Sequence, residues 1–266
     1  AELPTAQRGV SAALSGDALV LEHVTRQFGA LRAIQDVTFA VPAGERRAII
    51  GANGAGKTTL FNVITGDFPA TDGRVRFFGE DVTRLPPHER IRRGLRRTYQ
   101  SSLLFRELSV RDNLFLAVRG CTRGRFDVRR ARKSEPSAEA AKTLLHQVRL
   151  DSVAETPVAA LSHGQQRQLE VGMALAGAPR LILFDEPAAG LSPAERRELV
   201  ALLRSLPRYL GFVLIEHDLD IALGVADRVT VMHNSHVLKH GSPQEIQDDD
   251  EVHAIYMGRK GVHHVH

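Results

Sequence analysis

Short apolar runs divided by turn residues mark the beginning and end of the chain, with a more helical stretch between them. Leu19-Val20-Leu21-Glu22-His23-Val24 and Val37-Thr38-Phe39-Ala40-Val41 have strand-like content, and the turn Pro42-Ala43-Gly44 follows. Early antiparallel strands are therefore predicted. Ala48-Ile49-Ile50 is an apolar run of the kind found in a buried strand, feeding a glycine-rich loop and a helix expected from Lys57 to Ile64. From about Ser101 to Leu161 strand signals fade, and Ala138 to Val148 carries apolar residues at helical spacing, which predicts a helical insert. Its most irregular part, Gly120 to Pro136, is expected at the surface. Strand signals return at Leu181-Ile182-Leu183-Phe184, Phe212 to Ile215 and Arg228 to Met232. Helical stretches separate them, so they are predicted to share one parallel sheet with Ala48 to Ile50. No internal repeat, heptad array or low-complexity block interrupts this α/β pattern.

Composition narrows the picture modestly. The 266 residues, 43% hydrophobic, suffice for a substantial core. Apolar stretches such as Phe212 to Ile215 fall far short of the roughly 20 residues that cross a bilayer. Residues 1 to 16 lack a basic start and long apolar run, and read as a poorly ordered leader rather than a secretory signal. A single cysteine, Cys121, excludes an intrachain disulfide and a cysteine-cluster metal site, which fits the cytosol. The net charge of +4 is concentrated in two runs. One comprises Arg90, Arg92, Arg93, Arg96 and Arg97; the other extends from Arg123 to Lys133. Aromatic residues do not interleave with either, so both read as solvated helix faces and no nucleic-acid partner is expected. His263, His264 and His266 read as a solvated or appended tail, 259 to 266, without a metal site.

Gly51-Ala52-Asn53-Gly54-Ala55-Gly56-Lys57-Thr58 carries the chemistry. Two glycines flank four residues, and Lys-Thr completes the Walker A spacing that wraps consecutive N–H groups around a triphosphate. Thr59 follows in the same helix start. The helix directs its positive end at the phosphates, Lys57 adds charge at the β and γ oxygens, and Thr58 offers a hydroxyl to Mg²⁺. MgATP is the ligand so implied. Leu181 to Phe184 ends in Asp185-Glu186, two carboxylates expected at the sheet's C-terminal edge beside a partner strand ending at the glycine-rich loop. Asp185 could hold Mg²⁺ through water, and Glu186 could take the proton of the attacking water. An isolated acidic pair would instead read as solvated or capping.

About 20 residues before Asp185, Leu161-Ser162-His163-Gly164-Gln165 resembles the signature motif of ABC-type ATPases, with His163 in place of the usual glycine. The resemblance runs from about Leu19 to Gly258. It implies an α/β P-loop NTPase with a RecA-like parallel-sheet core, an N-terminal antiparallel β subdomain and a helical subdomain at about 101 to 175, all in a single domain at 17 to 258. It also assigns Phe28 to adenine stacking, Gln100 to the Q-loop near Mg²⁺ and the attacking water, Ala189 to Ser192 to the D-loop, and His217 to the switch position beside the γ-phosphate. Taken alone, Phe28 would be read as core, Gln100 as surface and His217 as structural.

Ser162 and Gly164 precede a helix expected from Gln165 to Leu175, making a second anion-binding helix start. One nucleotide does not need two distant cradles in one subunit. The family resemblance implies that the signature closes on ATP held by another subunit, in a head-to-tail dimer of identical or paralogous ATP-binding chains. His163 would bring an ionisable ring toward those phosphates, and its protonation would strengthen closure at lower pH; alternatively, the ring points away. Ser192 leaves a hydroxyl at the usual D-loop aspartate.

Arg97-Thr98-Tyr99-Gln100, Leu104 to Val110, Asp185 to Leu191 and Ile255-Tyr256-Met257-Gly258 resemble ATP-binding subunits of branched-chain amino-acid importers, with urea and amide importers close by. This resemblance implies ATP hydrolysis coupled to solute movement, transmembrane permease partners, no direct solute binding, and a cytoplasmic place on the membrane's inner face. A lipopolysaccharide-export ATPase and a nucleic-acid-acting ABC ATPase are the alternatives.

Overall fold

The computed structural model describes residues 16–98, 104–121 and 136–257. In chain order the strands and helices begin with β1 (Asp17–Phe28), β2 (Leu31–Pro42), β3 (Arg46–Gly51), α1 (Lys57–Thr65), β4 (Asp72–Phe77) and β5 (Glu80–Asp81). Next come α2 (Pro87–Arg92), β6 (Leu95–Arg97), α3 (Val110–Cys121), α4 (Pro136–Gln147), α5 (His163–Leu175), β7 (Leu181–Asp185) and α6 (Pro193–Ser205). The remaining elements are β8 (Gly211–Ile215), α7 (Leu219–Val225), β9 (Arg228–His233), β10 (His236–Gly241), α8 (Pro243–Gln247) and α9 (Asp250–Met257). The described residues fall into two compact units: those within 16–95, 180–186 and 207–257, and those within 96–179 and 187–206.

Two sheets belong chiefly to the first unit. β2, β1, β4 and β5 form an antiparallel sheet in that order. The other follows the order β10-β9-β3-β8-β7-β6, with β9, β3, β8 and β7 mutually parallel and β10 antiparallel at one edge. All residues of β3, β7 and β8 are buried, which explains why their sequences are apolar runs rather than alternations. β8 lies between β3 and β7, so the strand ending in the acidic pair does not pair with the strand feeding the glycine-rich loop. That corrects the expected adjacency; Phe212 to Ile215 is as apolar as its neighbours and takes the central place.

The strand before the loop begins at Arg46, two residues earlier than its apolar run. Its arginines are tolerated inside because Arg47 pairs with Glu45 at 2.6 Å and lies over the Phe39 ring, while the Arg46 guanidinium lies 5.5 Å from the Phe212 centroid and feels the charge of Asp227. α1 buries Leu60, Phe61, Val63 and Ile64 in the core, each contributing about 1.5–3 kcal/mol relative to exposure.

Arg90 corrects the reading of its basic run as a solvated face. It is only 2% exposed, and its guanidinium donates to the carbonyls of Val63 and Ile64 at 2.7 Å, Leu85 at 2.9 Å and Thr83 at 3.0 Å. These include carbonyls that the last turn of α1 leaves without helical partners. Burial lowers its pKa to about 10, so it remains charged at neutral pH. Arg93 pairs with Glu80 and Glu89, and Arg92 with Glu89, which further reduces any free basic face. The second run, Arg123 to Lys133, lies outside the described residues.

In the second unit, α3, α4 and α5 pack together, and α5 also packs against α6. A Cβ on Gly172 would lie 2.9 Å from the Leu114 side chain and 3.2 Å from Val148, so glycine permits the close approach of α5 to that cluster. Among the described residues, no helix is long and apolar enough to cross a membrane.

Candidate functional site

The loop from Gly51 to Gly56 turns between β3 and α1 under tight steric limits. A Cβ on Gly51 would sit 2.3 Å from the Met232 carbonyl oxygen. Gly56 has φ 96°, and a Cβ there would sit 2.3 Å from the Ala33 carbonyl oxygen. Only glycine satisfies both the conformation and the approach. Gly56 occupies the N-cap of α1, which has no side-chain cap and no acidic residue in its first turn. An uncapped helix start of this kind is suited to an anionic ligand. Asn53, Gly54 and Thr58 are exposed, Ala55 is buried, and Thr59 is intermediate.

Lys57 is buried, and its ammonium donates to the carbonyls of Gly51 at 2.8 Å and Ala52 at 3.1 Å. Burial lowers its pKa, while Glu186 and then Asp185 oppose that shift. The two carboxylates at the end of β7 therefore act electrostatically on the glycine-rich loop. β7 and β8 pair as far as Asp185 with Ile215. Glu186 then leaves the strand with φ 49°, its N–H donating to the Ile215 carbonyl at 3.0 Å. A non-glycine residue in this conformation is strained, a feature concentrated at functional sites. Just past the end of β8, Glu216 is fully buried; its Oε2 accepts from the His217 N–H at 3.3 Å and lies 3.8 Å from Nδ1. His217 itself is exposed.

Phe28, at the end of β1, is 38% exposed. It meets Phe68 edge-on with centroids 5.3 Å apart, and the Arg26 guanidinium lies 4.3 Å from its centroid. It is not the core residue that a lone phenylalanine suggests. Gln100 lies outside the described residues, as do Gly258 and the histidine tail.

A family model described as ABC transporter matches residues 34–189. The chain belongs to that family. BraF of Pseudomonas aeruginosa, a high-affinity branched-chain amino acid transport ATP-binding protein, is 36% identical over 253 residues, or 92% of this chain and 99% of BraF. LivG of Escherichia coli K12, with the same description, is 33% identical over the same coverage. Among solved structures, a nucleotide-free ATP-binding cassette from an ABC transporter is 31% identical with TM-score 0.79, covering 91% of this chain and 99% of that one. An ABC transporter cassette in its ADP conformation is 32% identical with TM-score 0.80, covering 92% and 100%. The expected ABC-type ATPase fold is borne out by these likenesses.

In this ABC transporter ATPase the signature residues lie at the start of α5, which begins at His163 rather than Gln165. Ser162 is its N-cap: its hydroxyl accepts from the Gln165 N–H at 3.2 Å, and the Gln165 side chain accepts from the Ser162 N–H at 3.0 Å. His163 is exposed in the first turn, and Gly164 is buried. Ser192 caps α6 by the same reciprocal arrangement with Glu195. Glu195 also accepts the Gly164 N–H at 2.8 Å. The sequence reading passed over Glu195, although Ser192-Pro193-Ala194-Glu195 carries the capping-box spacing that marks a helix start.

Proposed function

We propose that this ABC transporter ATPase binds MgATP at the start of α1 and couples its hydrolysis to import of branched-chain amino acids or a related small polar solute. The observation that carries the reading is the uncapped α1 start beside buried Lys57, facing the electrostatic influence of Glu186 and Asp185. Gly51, Asn53, Gly54, Ala55, Gly56, Lys57, Thr58 and Thr59 would hold the phosphates, and Phe28 would stack on the base. Thr58 and Asp185 supply the hydroxyl and carboxylate oxygens that suit Mg²⁺ alongside phosphate, with Gln100 as a further ligand. Mg²⁺, when bound, supplies charge neutralisation on the phosphate oxygens. Glu186 takes a proton from water as the water oxygen bonds to the γ-phosphorus and the bridging β–γ oxygen leaves; His217 orients that water.

Ser162, His163, Gly164 and Gln165 would meet nucleotide held by a second ATP-binding subunit in a head-to-tail dimer. Residues 101 to 175 would form most of the helical subdomain within a single domain at 17 to 258. Membrane attachment would come through permease subunits on the cytoplasmic face. The names of BraF and LivG support the amino-acid assignment. Co-expression with a candidate permease pair, followed by uptake of radiolabelled leucine into energised vesicles, tests it. ATP-dependent uptake lost in Lys57→Ala is expected; a complex that exports lipid-linked polysaccharide and takes up no amino acid would overturn the import assignment.

A further inference from the structure

The N-terminus of α5 already holds an anion, in contrast to the uncapped start of α1. Glu195 Oε1 accepts the Gly164 N–H at 2.8 Å, while Oε2 accepts the Ser192 N–H at 3.0 Å and the Ser192 hydroxyl at 2.8 Å. Glu195 is thus seated on the Gly164 N–H, a group that the proposed function assigns to a partner's nucleotide. The fit is close. A Cβ on Gly164 would stand 2.8 Å from Glu195 Cγ and 2.9 Å from Oε1, so a side chain there would displace the carboxylate. Gly164 has a helical backbone and needs no unusual φ. Its lack of a side chain has a concrete use in admitting Glu195.

We propose that Glu195 is a positioning residue that occupies the Gly164 N–H of the signature in the separated subunit and must yield it when a partner's ATP arrives. The inference rests on the dimer reading above. A phosphate oxygen and a carboxylate oxygen cannot both take the Gly164 N–H at full strength, and two anions at that distance repel. The carboxylate therefore raises the threshold for closure. It leaves the α5 start satisfied and ordered until nucleotide displaces it. Because the same carboxylate spans Ser192, displacement also loosens the cap of α6, linking arrival of the partner's phosphate to the loop that precedes that helix.

The role makes a prediction opposite in sign to that of a purely structural cap. Glutamine serves at the third position of a capping box but carries no charge. In a Glu186→Gln background, Glu195→Gln is expected to lower the dimer dissociation constant several-fold at saturating ATP, with a reduced thermal midpoint. Sedimentation across a protein dilution series reads the first quantity, and calorimetry the second. Glu195→Asp withdraws the carboxylate from Gly164 while retaining its charge near Ser192, and should tighten the dimer to a smaller extent. A dimer that forms in Glu186→Gln but is no tighter after Glu195→Gln or Glu195→Asp overturns the role of Glu195 alone. Absence of any ATP-driven dimer in Glu186→Gln overturns the underlying dimer reading as well.

Discussion

The amide of Glu186 donates to the carbonyl oxygen of Ile215 at 3.0 Å, one step beyond the last paired residues of β7 and β8. This bond carries the strand register past the sheet edge. It fixes the backbone of the proposed base relative to Glu216 and His217, which follow Ile215 just past the end of β8. Glu186→Gln should therefore keep the backbone geometry while removing the proton acceptor. Turnover is expected to fall by about 10²–10⁴-fold with ATP affinity retained. Single-turnover hydrolysis and equilibrium nucleotide binding measure the two effects separately; unchanged turnover removes Glu186 as the base.

The glycine-rich loop offers an internal control. Gly54 has φ 82° with open space around its missing Cβ, whereas a Cβ on Gly56 meets the Ala33 carbonyl. Gly54→Ala should cost about 1–2 kcal/mol of stability from backbone strain alone. Gly56→Ala adds a backbone collision and should cost roughly 3 kcal/mol or more, with loss of ATP binding. Denaturant titration of both variants tests the ordering.

Removal of the Phe28 ring should weaken ATP binding by about 1–3 kcal/mol, the usual range for loss of base stacking on an aromatic. Stacking tolerates different bases, so GTP affinity should fall in parallel. Phe28→Trp is expected to retain binding. Competition binding with both nucleotides is the measurement; an unchanged affinity in Phe28→Ala would place the base elsewhere.

Glu195 should leave a signature in acid stability. Hydrogen bonds from the Ser192 N–H, the Gly164 N–H and the Ser192 hydroxyl hold its pKa down to about 2, from an ordinary value of 4.5. A depressed carboxylate pKa stabilises the fold above the unfolded value, and that contribution fades as pH falls through the folded value. The difference in thermal midpoint between the protein and Glu195→Gln should be constant above about pH 5 and shrink steadily toward pH 2. A constant difference throughout would show that the carboxylate's charge contributes nothing.

Much of the glycine-rich loop and the elements flanking it was legible because its signals are local. The 51-to-58 spacing, the apolar β3 and β7, and the helix after Lys57 are written in consecutive residues. The sheet order was less accessible, because β3, β7 and β8 are similarly apolar and nothing local specifies which is central. β4 was passed over although Val75 and Phe77 point inward between more exposed arginines, a period-two pattern in a charged segment. Arg90 was misread for a different reason. Its carbonyl partners at Val63 and Ile64 lie over twenty residues away in sequence, so composition alone made it look solvated.

The grip of Arg90 on the last turn of α1 constrains where a mechanical stroke can arise. In the proposed function one end of the helix would meet the phosphates, while the other is anchored by charge-assisted bonds to Val63 and Ile64, each worth about 1.5–3 kcal/mol. Axial recoil would break that anchorage. On the proposed function, a stroke that keeps this anchorage intact would arise outside the helix itself.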